Sequence, residues 1–175
     1  MSASYAIRAA RRSDLPAICA IYNDVIATST AIFSDSPVTL ANRWEWFNER
    51  LRKGYPLLVA EDDGGVLGLA TFGDFRSFPG YRHTVEHSVH VRADARGRGV
   101  GMALVEALFA PALRLGKHVM VGAIDADNAA SIRFHQRLGF IEVGRMPEVG
   151  RKGGRWLNLV FMQKMLDEPG APRRD

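Results

Sequence analysis

The chain has 175 residues, 47% hydrophobic and 24% charged, enough to bury one sizeable core, so a single domain is expected. A lone cysteine, Cys19, excludes an internal disulfide and a thiolate zinc cluster; no apolar run approaches the ~20 residues of a membrane-spanning helix, and Met1 to Ala10 lacks a secretory-signal pattern. A cytoplasmic protein with no metal and no membrane partner is the expectation, and the net charge of +4 fits an anionic small ligand or modest nucleic-acid affinity without choosing between them.

In chain order, Tyr5 to Ala9 reads as a short strand, and Ser13 offers a helix N-cap ahead of Leu15, Ile18, Cys19, Tyr22 and Val25 at helical spacing. Cys19 falls on that apolar stripe and is expected to be a small core residue. Thr39 caps a second helix with Leu40, Trp44, Phe47 and Leu51 on one stripe, and Gly54 ends it. Pro56 to Glu61 and Val66 to Phe72 flank Asp62-Asp-Gly-Gly65 and predict an antiparallel hairpin. A loop rich in aromatic residues follows, Gly73 to Tyr81, then a strand over Thr84 to Val91.

A helical pattern runs from about Val100 to Leu115, with Pro111 expected to kink or split its last turns. Val119 to Ile124 predicts a strand, and Asn128 to Leu138 a helix closed by Gly139. Phe140 to Val143 and Trp156 to Met165 predict two more strands. Glu168 to Asp175 reads as a frayed tail, so the domain is placed at residues 1–166 and a flexible tail at 167–175. Hairpins at both ends around a strand, helix, strand, helix run predict an α/β fold with a mixed sheet and helices on its faces.

The most informative segment, Val89 to Met102, places a strand, a glycine-dense turn and a helix start in succession. The first amides of a helix have no internal partner and carry the positive end of its dipole, so glycines there let a pyrophosphate approach closely. Arg96 and Arg98 add charge. Two familiar phosphate loops fail by spacing: a dinucleotide fingerprint needs a small residue where Leu104 stands, and a Walker loop needs Gly-Lys at Met102-Ala103.

Glu86 lies mid-strand among apolar residues, where a carboxylate is costly unless solvated or partnered. Strict alternation puts Glu86, Ser88 and His90 on one face and His87 and Val89 on the other, so His87 and His90 are not expected to chelate a metal together.

Arg96-x-x-Gly-x-Gly101 resembles the acyl-CoA pyrophosphate loop of the GNAT superfamily of N-acetyltransferases. Asn128 to Phe140, an Asn-initiated helix ending in Leu-Gly-Phe, resembles that superfamily's second signature. Leu15 to Asp24, Gly54 to Ala60, Val85 to Val91 and Gly154 to Leu157 resemble the branch of phosphinothricin, methionine sulfoximine and methionine sulfone acetyltransferases. The resemblance covers roughly residues 5 to 166. It implies the α+β GNAT fold, with a mostly antiparallel central sheet, splayed middle strands and a bulge in the Thr84 to Val91 strand.

It also implies roles. Main-chain groups of Val89, His90 and Val91 would bind the pantetheine arm of acetyl-CoA, the amides from Arg96, Gly97, Arg98, Gly99, Val100, Gly101 and Met102 its pyrophosphate, and Asn128 would contact it through its side-chain amide while capping a helix. Glu86 is the candidate general base. His135 stands where the wider superfamily often has Tyr and the branch has His; it could protonate the leaving thiolate, orient water or pair with Glu86, or be a hydrogen-bonded core residue.

Arg76, Ser77 and Phe78, completed by Glu86, His87 and Ser88, would recognise a small substrate through an Arg fork and an aromatic wall. A lone cysteine in a helix stripe suits direct attack in a ternary complex rather than an acyl-enzyme. A homodimer is usual in the branch, and Trp156 is expected in the core or at that contact. The activity so implied is transfer of acetyl to the α-amine of a small amino-acid analogue.

The rival readings are a GNAT acting on a protein N-terminus or another amine, and a non-catalytic acyl-CoA-binding domain. Nucleic acid is not expected as a partner, because the aromatic residues fall on core stripes or in one loop rather than along a basic platform. The charge excess is concentrated: Arg76 to Arg98 holds five Arg against Glu86 and Asp94, a net of +3. Arg133 to Arg155 holds five Arg and one Lys against Glu142 and Glu148, a net of +4. Both are expected at the CoA and carboxylate sites.

Overall fold

The computed structural model describes residues 5–167. Its elements in chain order are β1 (Ala6–Ala9), α1 (Leu15–Thr28), α2 (Leu40–Arg52), β2 (Leu57–Asp62), β3 (Gly65–Asp74), β4 (Thr84–Val91), α3 (Val100–Arg114), β5 (Val119–Asp125), α4 (Ala129–Arg137), β6 (Ile141–Lys152) and β7 (Arg155–Met165). The strands form one seven-stranded sheet in the order β1-β2-β3-β4-β5-β7-β6. Every neighbouring pair is antiparallel except β4 and β5, whose connection runs through α3.

That parallel pair positions the site. Only Thr84, Val85 and Glu86 are in register with β5, opposite Val119, Met120 and Val121. Beyond Glu86 the two strands part, although β4 continues to Val91 and β5 to Asp125. The register of β4 against β3 runs from Val85 to Val91 without a break, so the bulge expected in β4 is absent from that ladder.

Helices cover both faces, as the mixed sheet requires. On one, α3 buries Val100, Leu104, Val105, Leu108 and Ala112 against a core that includes Phe72, Val85, Met120, Phe140 and Met162. On the other, Leu15 and Ile18 of α1 and Phe47 of α2 pack on Leu57, Val59 and Leu69. β3 is buried from Val66 to Gly73 because it is covered on both sides, which removes the period-two signal of a half-exposed strand. Truncating a fully buried leucine such as Leu104 to alanine costs about 2–5 kcal/mol.

Several local expectations change. Ser13 does not cap α1: it lies exposed in a short 3-10 turn, Arg12–Asp14, and the Asp14 carboxylate there accepts from the Arg11 amide at 2.7 Å and from Arg8. Cys19 is half-buried rather than fully buried, its sulfur 3.6 Å from the Val38 carbonyl, because the inward face of α1 is Leu15, Ile18, Ile21, Val25 and Ile26. Thr39 does cap α2, accepting from the Asn42 amide at 3.1 Å. The stripe expected on α2 holds at its centre, where Phe47 is buried in the core and Trp44 packs against it, and fails at its ends, where Leu40 and Leu51 are exposed; Arg43 is buried as well. α3 runs unsplit through Pro111 to Arg114.

β6 is three times longer than expected. It spans 12 residues, nearly all exposed, with register breaks at Glu142/Gly144 and Met146/Gly150. Glycine, proline and charge give it no apolar alternation to read. Trp156 is 60% exposed, so it is not a core residue. Asp167, expected in the tail, accepts a hydrogen bond from His118 Nδ1 at 2.6 Å; the rest of that expected tail, 168–175, lies outside the described residues.

Candidate active site

The parting of β4 from β5 opens a cleft of about 420 Å³. Its walls come from α1 and the segment after it (Tyr22, Ala31, Ile32), α2 (Arg43, Trp46, Arg50), β4 from Glu86 to His90, β5 from Gly122 to Asp125, and α4 with its cap (Asn128, Ser131, His135). Asp125 also accepts from the hydroxyl of Thr30, which ties the segment after α1 to the far wall.

Alternation along β4 gives the cleft two chemistries. Glu86 and His90 face α1 and α2. Burial pushes the Glu86 carboxyl above its ordinary 4.5, with the Arg76 charge opposing that rise. His90 packs edge-on to Tyr22 with ring centroids 5.2 Å apart, and burial, helped by the Arg43 charge, pushes it down to about 4.

His87 faces the opposite way, between His135 and Phe140. The two histidines are joined Nε2 to Nε2 at 3.2 Å, and His135 Nδ1 lies 2.7 Å from the Ser131 carbonyl. A carbonyl only accepts, so His135 carries its proton on Nδ1 and its Nε2 accepts from His87 Nε2–H. That leaves His87 Nδ1 as a buried acceptor with no partner among the described residues. Burial pushes His87 down to about 3 and lowers His135 as well, so both rings are neutral at neutral pH. Gly122 makes the pair possible: a Cβ there would lie 3.1 Å from His135 Nε2 and 3.2 Å from His87 Nε2.

The glycine turn stands at the far end of β4. Gly97 and Gly99 have φ of +77° and +80°, in the left-handed region that favours glycine, and no heavy atom lies within 4 Å of a Cβ placed on Gly97. The Ala103 amide bonds to the Gly99 carbonyl at 3.1 Å, so the amides of Val100, Gly101 and Met102 precede the first helical bond. The Val100 side chain is core, leaving its backbone for binding. Arg98 is bound to Asp62 at 3.0 Å, and Arg96 Nε reaches the Val91 carbonyl at 3.3 Å.

Residues 18–140 match the acetyltransferase (GNAT) family. The chain belongs to that family. It is 58% identical over 168 residues to an L-methionine sulfoximine/L-methionine sulfone acetyltransferase of Pseudomonas paraeruginosa, covering 95% of this chain and 96% of the relative. Its fold superposes with a TM-score of 0.91 on yncA of Salmonella typhimurium, solved with its cofactor acetyl-CoA, at 50% identity over 96% of this chain and 97% of that one. A Sinorhizobium meliloti phosphinothricin acetyltransferase in complex with acetyl-CoA gives 0.92 at 35% identity, over 100% and 94%. The protein is a GNAT acetyltransferase enzyme.

Of the residues expected at the site, this GNAT chain brings Glu86, His87, Ser88, Val89, His90, Asn128 and His135 to one cleft. Val91 ends β4, next to the turn formed by Arg96 to Met102. Asn128 caps α4, its Oδ1 accepting from the Ser131 amide at 3.0 Å, which leaves its amide nitrogen available. His135 pairs with His87 and not with Glu86, because the two β4 neighbours point to opposite faces.

Arg76, Ser77 and Phe78 do not line the cleft. All three are exposed, Phe78 by 72%, and Arg76 lies over the Phe75 ring at 5.2 Å. No arginine or lysine from Arg133 to Arg155 lines it either; Arg145 pairs with Glu142, and Lys152 donates to the carbonyls of Ile26, Ser29 and Ile32. The guanidinium groups that do reach the cleft are Arg43 and Arg50 of α2, with Trp46 beside them. Helical spacing was the available signal, since residues 43, 46 and 50 share one face. Among the described residues no cluster of three or more His, Cys, Asp or Glu could hold a metal, and no helix is long and apolar enough to cross a membrane.

Proposed function

We propose that the protein transfers acetyl from acetyl-CoA to the α-amine of small amino-acid analogues of the methionine sulfone, methionine sulfoximine or phosphinothricin type. One observation carries this reading: a desolvated carboxylate, Glu86, faces a cleft whose opposite wall is cationic, with an open glycine turn at the end of the same strand. The names and sequences of the relatives support it.

The residues present fit acetyl-CoA. Three helix-start amides and the open Gly97 suit a pyrophosphate. The edge of β4 beyond Glu86, which β5 does not pair, offers the main chain of Val89, His90 and Val91 to the pantetheine arm, and Asn128 offers its amide. Acetyl-CoA supplies an acetyl thioester, whose C–S bond breaks as the amide C–N bond forms. Glu86 takes the proton of the acceptor ammonium through water, and burial suits it to that task by raising its proton affinity. Overall the ammonium loses two protons, one to the CoA thiol and one to solvent.

Cys19 does not line the cleft, which supports direct attack over an acyl-enzyme. His135, with both ring nitrogens engaged, acts as a positioning residue that holds His87. Ile141, Val143, Met146 and Val149 of β6 and Trp156 of β7 form an exposed apolar margin that supports a homodimer, and the reading places the enzyme in the cytoplasm.

An acceptor panel followed by CoA release tests the activity. Turnover of methionine sulfone, methionine sulfoximine or phosphinothricin is expected. Turnover confined to a peptide N-terminus, or tight acetyl-CoA binding with no acceptor consumed, would overturn it.

A further inference from the structure

Residues 29–39, between α1 and α2, form no helix or strand and none of them is fully buried, yet Ala31 and Ile32 of this segment line the cleft. Apolar burial contributes little to holding such a segment, so its place depends on other contacts. Those contacts come from the far end of the chain. The Lys152 ammonium, at the end of β6, donates to the carbonyls of Ile26 and Ser29, each at 2.6 Å, and of Ile32 at 2.9 Å. Three carbonyls thus take the full donor set of a lysine, and Lys152 enters no ion pair among the described residues. Ile26 lies in the last turn of α1, whose carbonyls lack helical partners and carry the negative end of the dipole.

The same β6–β7 hairpin grips the segment twice more. The Gly153 amide donates to Asp35 Oδ1 at 2.9 Å. A Cβ on Gly150 would overlap the Phe33 ring, so the ring fills the place of the missing side chain. The φ of Gly150 is not positive, which leaves close approach of that ring, rather than backbone freedom, as the reason for glycine there. Elsewhere the segment is tied by Thr30, which donates to Asp125, and by Asn23 of α1, which donates to the Val38 carbonyl at 3.0 Å and accepts from the Val38 amide at 2.8 Å. The hairpin therefore holds the stretch that carries Ala31 and Ile32, and Lys152 makes most of that hold.

We propose that Lys152 is a positioning residue for acetyl transfer: from outside the cleft it fastens residues 29–35 to the β6–β7 hairpin, so that Ala31 and Ile32 stand as a fixed wall. Its ammonium does not line the cleft and touches no reacting atom. Releasing it lets the wall shift and costs the acceptor its alignment, whereas the glycine turn at the far end of β4 is left as it was. The inference rests on the reading of the cleft as an amino-acid acetyltransferase site.

The test compares Lys152→Met, which keeps the reach of the side chain without its charge, with Lys152→Arg and with Gly150→Ala, which displaces the Phe33 ring by a different route. Each is assayed well below its melting temperature. Lys152→Met and Gly150→Ala should each lower kcat/KM for methionine sulfone by about 10- to 100-fold, the scale of a small misplacement, and leave the acetyl-CoA KM unchanged. Lys152→Arg, which keeps the charge but not the three-donor geometry, should fall between native and Lys152→Met. Hydrogen exchange of the amides from 29 to 35 should quicken in Lys152→Met and Gly150→Ala while those of α3 and β5 stay as in the native enzyme. A lowered melting temperature with unchanged acceptor kinetics would make Lys152 a structural tie only and overturn the proposal, as would an equal rise in both KM values. Native enzyme that consumes none of the amino-acid analogues would instead overturn the reading on which the proposal rests, a failure that the exchange measurement keeps separate.

Discussion

Glu86, half-buried, and His87, buried, are chain neighbours with opposite surroundings, and the contrast explains how this site is built. The Glu86 carboxylate makes no ion pair with any described residue and stands on the face that α2 lines with arginine. His87 is held in a neutral pair with His135, and the glycine of β5 leaves space for both rings. Burial disfavours charge on each, so it raises the proton affinity of the acid and lowers that of the base. One strand thus carries an unpaired carboxylate on the face toward α2 and a locked, uncharged imidazole on the other.

Breaking the first half of the contrast has the largest expected effect. Glu86→Gln should lower kcat/KM by ~10²–10⁴-fold while acetyl-CoA binding, measured by calorimetry, stays nearly intact. Crowding the second half costs less: Gly122→Ala presses a methyl on both imidazoles and should destabilise the fold by about 1–3 kcal/mol in urea titrations, with KM for acetyl-CoA unaffected. A third experiment sharpens the difference through pH. The histidine pKa values are lowered on folding, so the unfolded chain binds more protons between its ordinary 6.5 and the folded values of about 4 for His90 and about 3 for His87. Stability is therefore full above pH ~6.5 and falls as pH drops toward 4, by about 1.4 kcal/mol per pH unit for each such histidine. His87→Gln should flatten that slope in urea titrations; an unchanged slope would mean that His87 titrates normally in the fold.

The sequence made β4, the glycine turn and the Asn128 cap legible because each is a local pattern: a strand with one misplaced carboxylate, glycines before a helix, an Asn three residues ahead of a free amide. The His87–His135 pair was not legible, since it joins positions 48 residues apart and depends on an intervening glycine of β5. Arg43 and Arg50 were missed for a different reason. Trp44 and Phe47 do face the core, but the same helix turns Arg43, Trp46 and Arg50 to the cleft, and a stripe read from apolar residues alone passes over that second face. Arg76 shows the reverse error: an Arg beside aromatic residues suggested a pocket, yet the loop lies open to solvent and reaches Glu86 only through its charge.

The pH dependence of kcat/KM for methionine sulfone, measured for the native enzyme and for Glu86→Gln, tests the central claim most directly. A base must be deprotonated to act, so native activity should rise with pH through a midpoint above 4.5, the ordinary value that burial of Glu86 raises. The variant should lose that acid limb along with most of its rate. An acid limb that persists unchanged in Glu86→Gln would contradict the assignment of Glu86 as the base.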